Sequence, residues 1–395
     1  MKKNRITKII LIVLGILVSL CLLAVLAWKV MPRDARMSLI KMLSRSQVVR
    51  DVAGAGVKET YNDKVRDESF EEESIAVTEE AEKKLTGYTN ILLFGIDSRD
   101  SSFDQGTNSD SMIIVSINND TGSIRMASVY RDTYLKLIGD SKGEVFRKAN
   151  AAYARGGAVE AISTLNTNLD LNITDYVIVN FAGLSEIVDI FGGVDIHVSE
   201  REKELINSFS DNMADEAGLP APAHLAAGGD VHLTGLQTTA FCRIRSAVFT
   251  DEDGREYHYD YGRTARQRYV MKRLMASAKT AGVTQLLSMA DAVMNLNSED
   301  RTVIRTSLSY DSIMDLVPYL IDYRMEGSTG FPYTLLGKDV EGDDAVVPCG
   351  LAYNVKELHR FLFDDESYAP SETVQTISEQ IIARTGVGEK TLEAS

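Results

Sequence analysis

The chain has 395 residues, 44% of them hydrophobic, enough for a real core in one large domain or two ordinary ones. A formal net charge of −15 argues against general nucleic-acid binding, which needs a basic face, and makes any arginine cluster stand out. The five histidines show no HExxH or paired metal spacing, and no G-x-S-x-G elbow or Walker A loop occurs. Ser-His-Asp catalysis and P-loop nucleotide hydrolysis therefore have no support.

Residues 9–28 form an uncharged apolar run long enough to cross a bilayer as a helix. Lys2, Lys3, Arg5 and Lys8 precede it and Lys29, Arg33, Arg36 and Lys41 follow, so charge favours neither orientation. A poor small-x-small match at 24–27 points to an uncleaved anchor rather than a signal peptide. The expected organisation is a cytoplasmic stub and transmembrane anchor over 1–31, then a juxtamembrane segment and linker over 32–86. Within that linker, MSLIKMLSRSQVVR extends the span or lies on the membrane surface, and the acidic stretch 57–86 reads as a stalk. A folded domain over 87–364 and a polar tail over 365–395 complete the chain.

Residues 90–96 are a short apolar run that reads as a buried strand ending at the polar cluster Asp97-Ser98-Arg99-Asp100. A second strand over 111–118, the turn Asn119-Asp120-Thr121-Gly122 and a third strand over 123–130 form a hairpin. Helical patterning follows at 149–153 and 158–168, then a strand at 176–181, a helix at 182–191, a Gly192-Gly193 turn and a strand at 194–198. Residues 202–232 read as an irregular surface excursion. A helix starting at 234–239 feeds a strand carrying Arg243 and Arg245, and a long helix spans 261–281. A strand at 302–308, a helix at 311–324, strand-like residues at 331–336 and a helix at 354–363 follow. The fold class is α/β: a mixed central sheet flanked by helices, preceded by one transmembrane helix and an acidic linker.

Side chains alternate along a strand, so Arg243 and Arg245 are expected on one face about 7 Å apart, with Cys242 turned to the core. A buried thiol is the reading for Cys242, and a disulfide with Cys349 is the alternative. Arg263, Arg266 and Gln267 fall on one helix face. Guanidinium groups bind phosphate through paired, charge-assisted hydrogen bonds, so the two strings point to a ligand with more than one phosphate. Surface salt bridging is the competing reading. Asp97 and Asp110 flank the ends of the first two strands. Two such carboxylates, with substrate phosphates and water, suit Mg²⁺; turn or cap roles explain each alone. Arg131 is a further phosphate clamp. Asp132 either pairs with an arginine or takes a proton, and Lys148 and Asn150 are donors or ordinary cap and surface residues.

NILLFGIDSRD, Ser109-Asp110-Ser111-Met112, Val129-Tyr130-Arg131-Asp132, KANAAYARGG, FGGVDIHV, HLTGLQTTAFCRIR and DYGRTARQRYV occur in order across about residues 88–275. In these blocks the chain resembles the LytR-CpsA-Psr family. The resemblance implies a single-pass membrane enzyme with its domain outside the cytoplasm. Such an enzyme moves anionic glycopolymers, teichoic acids or capsular polysaccharide, from a polyprenyl-pyrophosphate carrier to peptidoglycan and releases polyprenyl phosphate. It places Mg²⁺ at Asp97 and Asp110, and pyrophosphate at Arg131, Arg243, Arg245, Arg263 and Gln267 with Arg99 and Arg266 nearby. It places the prenyl tail between sheet and helices. Fixed cations would stabilise the charge growing on the departing phosphate, and Asp97 or Asp132 is the candidate base.

Two positions depart from the family pattern. Asn108 stands where arginine is usual, and Tyr130 where proline is usual. A lipid-pyrophosphate hydrolase would use the same residues. A non-catalytic lipid-binding or regulatory protein is the other alternative, favoured by the cation lost at Asn108.

Overall fold

The structure is a computed structural model that describes residues 31–46, 65–67, 69–97, 103, 108–138, 145–298 and 300–391. The apolar run at 9–28 and Arg99 lie outside these residues, and no helix among the described residues is long and apolar enough to cross a membrane.

Helix α1 (Arg33–Arg45) comes first, and α2 (Glu79–Lys84) leads into the apolar run that forms β1 (Tyr88–Ile96). β1 pairs antiparallel with β2 (Ser109–Asn118), which turns into β3 (Ser123–Val129). The Asn118 side chain fixes that turn, accepting hydrogen bonds from the Asp120 and Thr121 amides at 3.1 and 2.9 Å. Next come the hairpin β4 (Tyr134–Leu137) and β5 (Val145–Lys148), α3 (Ala151–Leu169), β6 (Asp175–Asn180), α4 (Phe181–Ile190) and β7 (Val194–Val198). Helix α5 (Glu200–Ala217), β8 (Gly229–Leu233), α6 (Gly235–Arg243), β9 (Phe249–Thr250), β10 (Glu256–Tyr257), α7 (Tyr259–Thr280) and α8 (Val283–Met294) follow. The chain closes with β11 (Ile304–Thr306), α9 (Tyr310–Ile321), β12 (Arg324–Phe331), the hairpin β13 (Leu335–Val340) and β14 (Asp343–Pro348), α10 (Leu351–Phe363) and α11 (Glu372–Thr385).

The central sheet runs β11-β6-β1-β2-β3-β12. Pairs β1–β6 and β3–β12 are parallel and the others antiparallel, so the sheet is mixed as expected. Alternation along β1 buries Leu92, Phe94 and Ile96 on one face, where α3, α10 and α11 supply Ile162, Leu165, Leu358 and Ile377. The opposite face, with Leu93, Gly95 and Ile113, floors a cavity roofed by α4, α6, α7 and α8.

Four expectations change. Residues 202–232 are not an irregular excursion but contain most of α5 and β8. A Ser199–Glu202 capping box starts α5, and Gly218 ends it at φ 65°. The segment at 65–86 is not a solvated stalk: Val65, Ile75, Ala81 and Leu85 are buried, and Tyr176 donates its hydroxyl to Asp67 at 2.6 Å. Nor is 365–395 simply a polar tail, because α11 buries Val374, Ile377 and Ile381. Finally, α1 is docked on α9, with Arg36 on Asp322 and Lys41 and Arg45 on Asp315.

His359 of α10 couples this packing to pH. Its Nε2–H donates to the Leu169 carbonyl at 2.8 Å, and the ring stacks on Tyr368 at 3.7 Å. Burial pulls its pKa down to about 4, against the opposing effect of that hydrogen bond. The unfolded chain, with an ordinary histidine near 6.5, then binds more protons between those values. His359 therefore leaves stability intact above about 6.5 and erodes it as pH falls toward 4. Urea unfolding at pH 6.5 and 5.0 should show a loss on the order of 2 kcal/mol that the His359→Gln variant lacks. Equal pH slopes in the two proteins would refute the coupling.

Candidate functional site

Register places the first candidate residues. Gly95 pairs with Ser111 but Ile96 pairs with Ser109, so Asp110 is the extra residue of a β-bulge. Bulges re-aim a side chain, and this one turns Asp110 to the cavity face, where it lines the same end as Asp97, just past β1. The ends of β1 and β2 that carry the two residues are adjacent, and both residues line the cavity.

Arginines gather around Asp110. Arg131, just after β3, donates from Nη1 to Asp110 Oδ1 at 2.6 Å. Arg263 of α7 donates from Nη2 to the Asp110 carbonyl at 2.8 Å, and its Nη1 lies 3.6 Å from Asp110 Oδ1. Asp260, three residues earlier on α7, bridges two cations: its Oδ1 is 3.1 Å from Arg263 Nη2 and 3.2 Å from Arg245 Nε. Burial works against the charge on Arg131, but Asp260, Asp132 and Asp110 outweigh it and raise its pKa. For the more deeply buried Arg263 burial prevails over Asp260, with Arg245 adding to the lowering. Two like charges are thus held close by shared carboxylates, which an incoming anion would relieve.

The strand expected at Arg243–Arg245 is a helix end. A capping box, Thr234 with Gln237, starts α6, which runs to Arg243 before Ile244 turns extended. Gly235 permits the close packing of α6 on α4, since a Cβ there would lie 1.9 Å from the Ser185 carbonyl oxygen. Arg243 therefore projects from a helix C-terminus, its guanidinium 4.5 Å from the centre of the Phe181 ring, and Arg245 follows on the loop. Both line the cavity, as does Gln267. Cys242 is buried as expected, by helical rather than strand geometry, and both Cys242 and Cys349 are free thiols.

The cavity has a volume of about 890 Å³. Asp97, Asp110, Arg243, Arg245, Arg263 and Gln267 are grouped in its wall. The rest is overwhelmingly apolar, including Leu184, Ile187, Met213, Met271, Leu286 and Met294. Flexible methionines adapt to an irregular apolar guest.

Other candidates fall outside this wall. Arg266 is fully buried, ion-paired to Glu202 at 2.7 Å and bonded to the Ile244 and Ala247 carbonyls, so it braces the fold and does not face the cavity. Lys148 pairs with Asp343 at 2.8 Å and Asp132 at 3.6 Å. Asp132 is 3.6 Å from Arg131 Nε, which makes it part of a charge network rather than a cavity group. Asn150 gives no side-chain cap to α3, but its amide donates to the Arg131 carbonyl at 3.0 Å. Asn108 is exposed, and Tyr130 packs edge-on against Tyr261 at 4.6 Å. Sequence reasoning missed Asp260 and Phe181. The i, i+3 spacing of Asp260 and Arg263 was the available signal for the first.

Residues 51–324 match the LytR_cpsA_psr family. A teichoic acid transferase of Bacillus cereus, "Polyisoprenyl-teichoic acid--peptidoglycan teichoic acid transferase TagU", is 31% identical over 239 residues, which are 60% of this chain and 66% of that protein. "Biofilm regulatory protein A" of Streptococcus mutans is 32% identical over 248 residues, 60% of this chain and 56% of that protein. The match thus spans less than two thirds of the length of each relative. A crystal structure of a Streptococcus agalactiae protein superposes with a TM-score of 0.54 at 26% identity, covering 72% of this chain and 91% of that one. The matched span takes in β1, the Asp110 bulge and all the cavity arginines: the chain belongs to the LytR-CpsA-Psr family.

Proposed function

We propose that this protein transfers an anionic glycopolymer, a teichoic acid or capsular polysaccharide, from a polyprenyl-pyrophosphate carrier to a hydroxyl of peptidoglycan. The observation that carries this reading is a large apolar cavity with arginines and two aspartates grouped at one part of its wall. A prenyl tail is apolar and a pyrophosphate is doubly anionic, so one molecule would satisfy both parts. The activity in the name of the Bacillus cereus relative uses the same chemistry.

In this reading the acceptor oxygen attacks the phosphorus that bears the glycan. A new P–O bond forms, the phosphoanhydride bond breaks, and polyprenyl phosphate leaves with the electron pair. Arg243, Arg245 and Arg263 bind the pyrophosphate, and fixed donors of this kind stabilise charge where it develops. Asp97 is the better base for the hydroxyl proton, because Asp132 is tied to Lys148 and Arg131 outside the cavity wall. Asp97 and Asp110 would also hold Mg²⁺. Hard oxygen donors at two strand ends suit that ion, and Asp110 meets the arginines through Oδ1, which leaves Oδ2 for a cation. Bound there, the ion would neutralise phosphate charge. The apolar run at 9–28 would anchor the enzyme beside its lipid substrate, with the domain outside the cytoplasm.

Full-length protein in micelles, given a synthetic lipid-pyrophosphate glycan and peptidoglycan fragments, should release polyprenyl phosphate and join glycan to the fragment. Chelation of Mg²⁺, or Asp97→Asn, should lower joining about a hundredfold or more. Release without joining would mean a hydrolase. Tight lipid binding without release would mean a binding or regulatory protein.

A further inference from the structure

We propose that Tyr259, with His258 beside it, is a platform for a sugar ring of the acceptor glycan; this rests on the transfer reading above. Tyr259 opens α7 at φ 49°, in the left-handed region. A side chain with a Cβ adopts that region at a cost, because Cβ crowds the neighbouring carbonyl. Strain of this kind persists where the surroundings or a function require it. Packing supplies no such requirement, because Tyr259 is 77% exposed and no large hydrophobic side chain among the described residues is more so. Glycine or asparagine would make the same backbone turn with less strain. The ring's neighbour is the exposed ring of His258, centroids 6.3 Å apart and tilted by 45°, so two aromatic faces stand together on the surface.

Their position assigns the ligand. The next residue, Asp260, holds Arg245 and Arg263, and Tyr261 after it packs on Tyr130, the neighbour of Arg131. Successive Cα atoms are about 3.8 Å apart, so the backbone that carries the aromatic pair adjoins the Asp260 end of the anion site, and neither residue lines the cavity. A prenyl tail would be drawn into the apolar cavity and an anionic polymer to the arginines. An exposed aromatic face outside both suits the C–H face of a pyranose, the group that must present its hydroxyl to the bound phosphate.

The test measures two affinities on full-length protein in micelles: for short uncross-linked peptidoglycan glycan strands and for polyprenyl pyrophosphate. Tyr259→Ala and Tyr259→Gly should weaken glycan binding about tenfold, on the scale of one aromatic stack. Tyr259→Phe should match the wild type, and lipid binding should stay unchanged in all three. Tyr259→Gly should also melt about 2 °C higher, because its φ is no longer strained. A gain in stability with a loss of glycan binding is an outcome that a scaffold role for the ring does not give. Equal glycan affinity in wild type and Tyr259→Ala, or no glycan binding by a wild type that binds the lipid, would overturn the proposal. So would a loss of vesicle association in place of glycan binding, which would make Tyr259 a membrane contact. A wild type that binds glycan through Tyr259 but not the lipid would support the platform while removing the transfer reading.

Discussion

Arg243→Ala should lower glycan transfer about 10²–10³-fold and leave the melting temperature within about 1 °C of wild type. The reason lies in how the cations are already engaged. Arg131 is neutralised by Asp110, Arg263 by Asp110 and Asp260, and Arg245 by Asp260. Arg243, among the described residues, enters no ion pair and rests on the Phe181 ring alone. Arg131, Arg245 and Arg263 thus each have a carboxylate partner, and in the transfer reading Arg243 is the group free to meet the ligand. Its place at a helix C-terminus suits a cation, because the unpaired carbonyls there carry partial negative charge. Arg243→Lys should recover part of the loss, since an ammonium keeps the charge but not the planar fork. Steady-state release of polyprenyl phosphate, together with lipid affinity, measures both. Transfer within threefold of wild type in Arg243→Ala would remove this residue from the anion site.

What was legible in the sequence divides along physical lines. The apolar run of β1 and the Asn119-Asp120-Thr121-Gly122 turn were readable because short-range chemistry determines them. With two neighbouring strands in place, Asp97 and Asp110 had to lie near one edge. The bulge that aims Asp110 was not readable, since it depends on the register of two strands. Around Arg243 the helix start at 234–239 was read correctly, and the error lay in ending the helix before Arg243. TTAFCRIR is rich in β-formers, yet Thr234 and Gln237 stand at capping-box spacing, and the helix they start buries Thr238, Thr239 and Phe241. The Ser199–Glu202 box, by contrast, was overlooked altogether, so α5 went unread.

The grouping of Arg263, Arg266 and Gln267 failed for a finer reason. At about 100° per residue, Gln267 lies about 40° to one side of Arg263 and Arg266 about 60° to the other. One helix face of that width can serve two environments. Here the cavity takes Arg263 and Gln267, and the packing against α5 and α6 takes Arg266.

That division makes the second large effect one of stability. Glu202→Ala should destabilise the domain by about 3–5 kcal/mol, because it strands a fully buried guanidinium without its counterion. The same substitution removes the glutamate half of the capping box, where Glu202 Oε2 accepts from the Ser199 amide at 2.9 Å. Arg266→Met keeps most of the volume against Phe241 and Phe249, so the double variant Glu202→Leu with Arg266→Met should be more stable than Glu202→Ala alone. A double-mutant cycle by thermal unfolding measures the coupling, and a Glu202→Ala protein that melts with the wild type would sink the argument. Transfer should fall in Glu202→Ala as well. Arg266 holds the Ile244 and Ala247 carbonyls at 3.1 and 3.0 Å, and between them the chain carries Arg245 to Asp260. The buried pair thus reaches the anion site through the backbone it fixes, whereas Arg243 acts there through its own side chain. The two variants should accordingly separate, one losing activity at full stability and the other losing both.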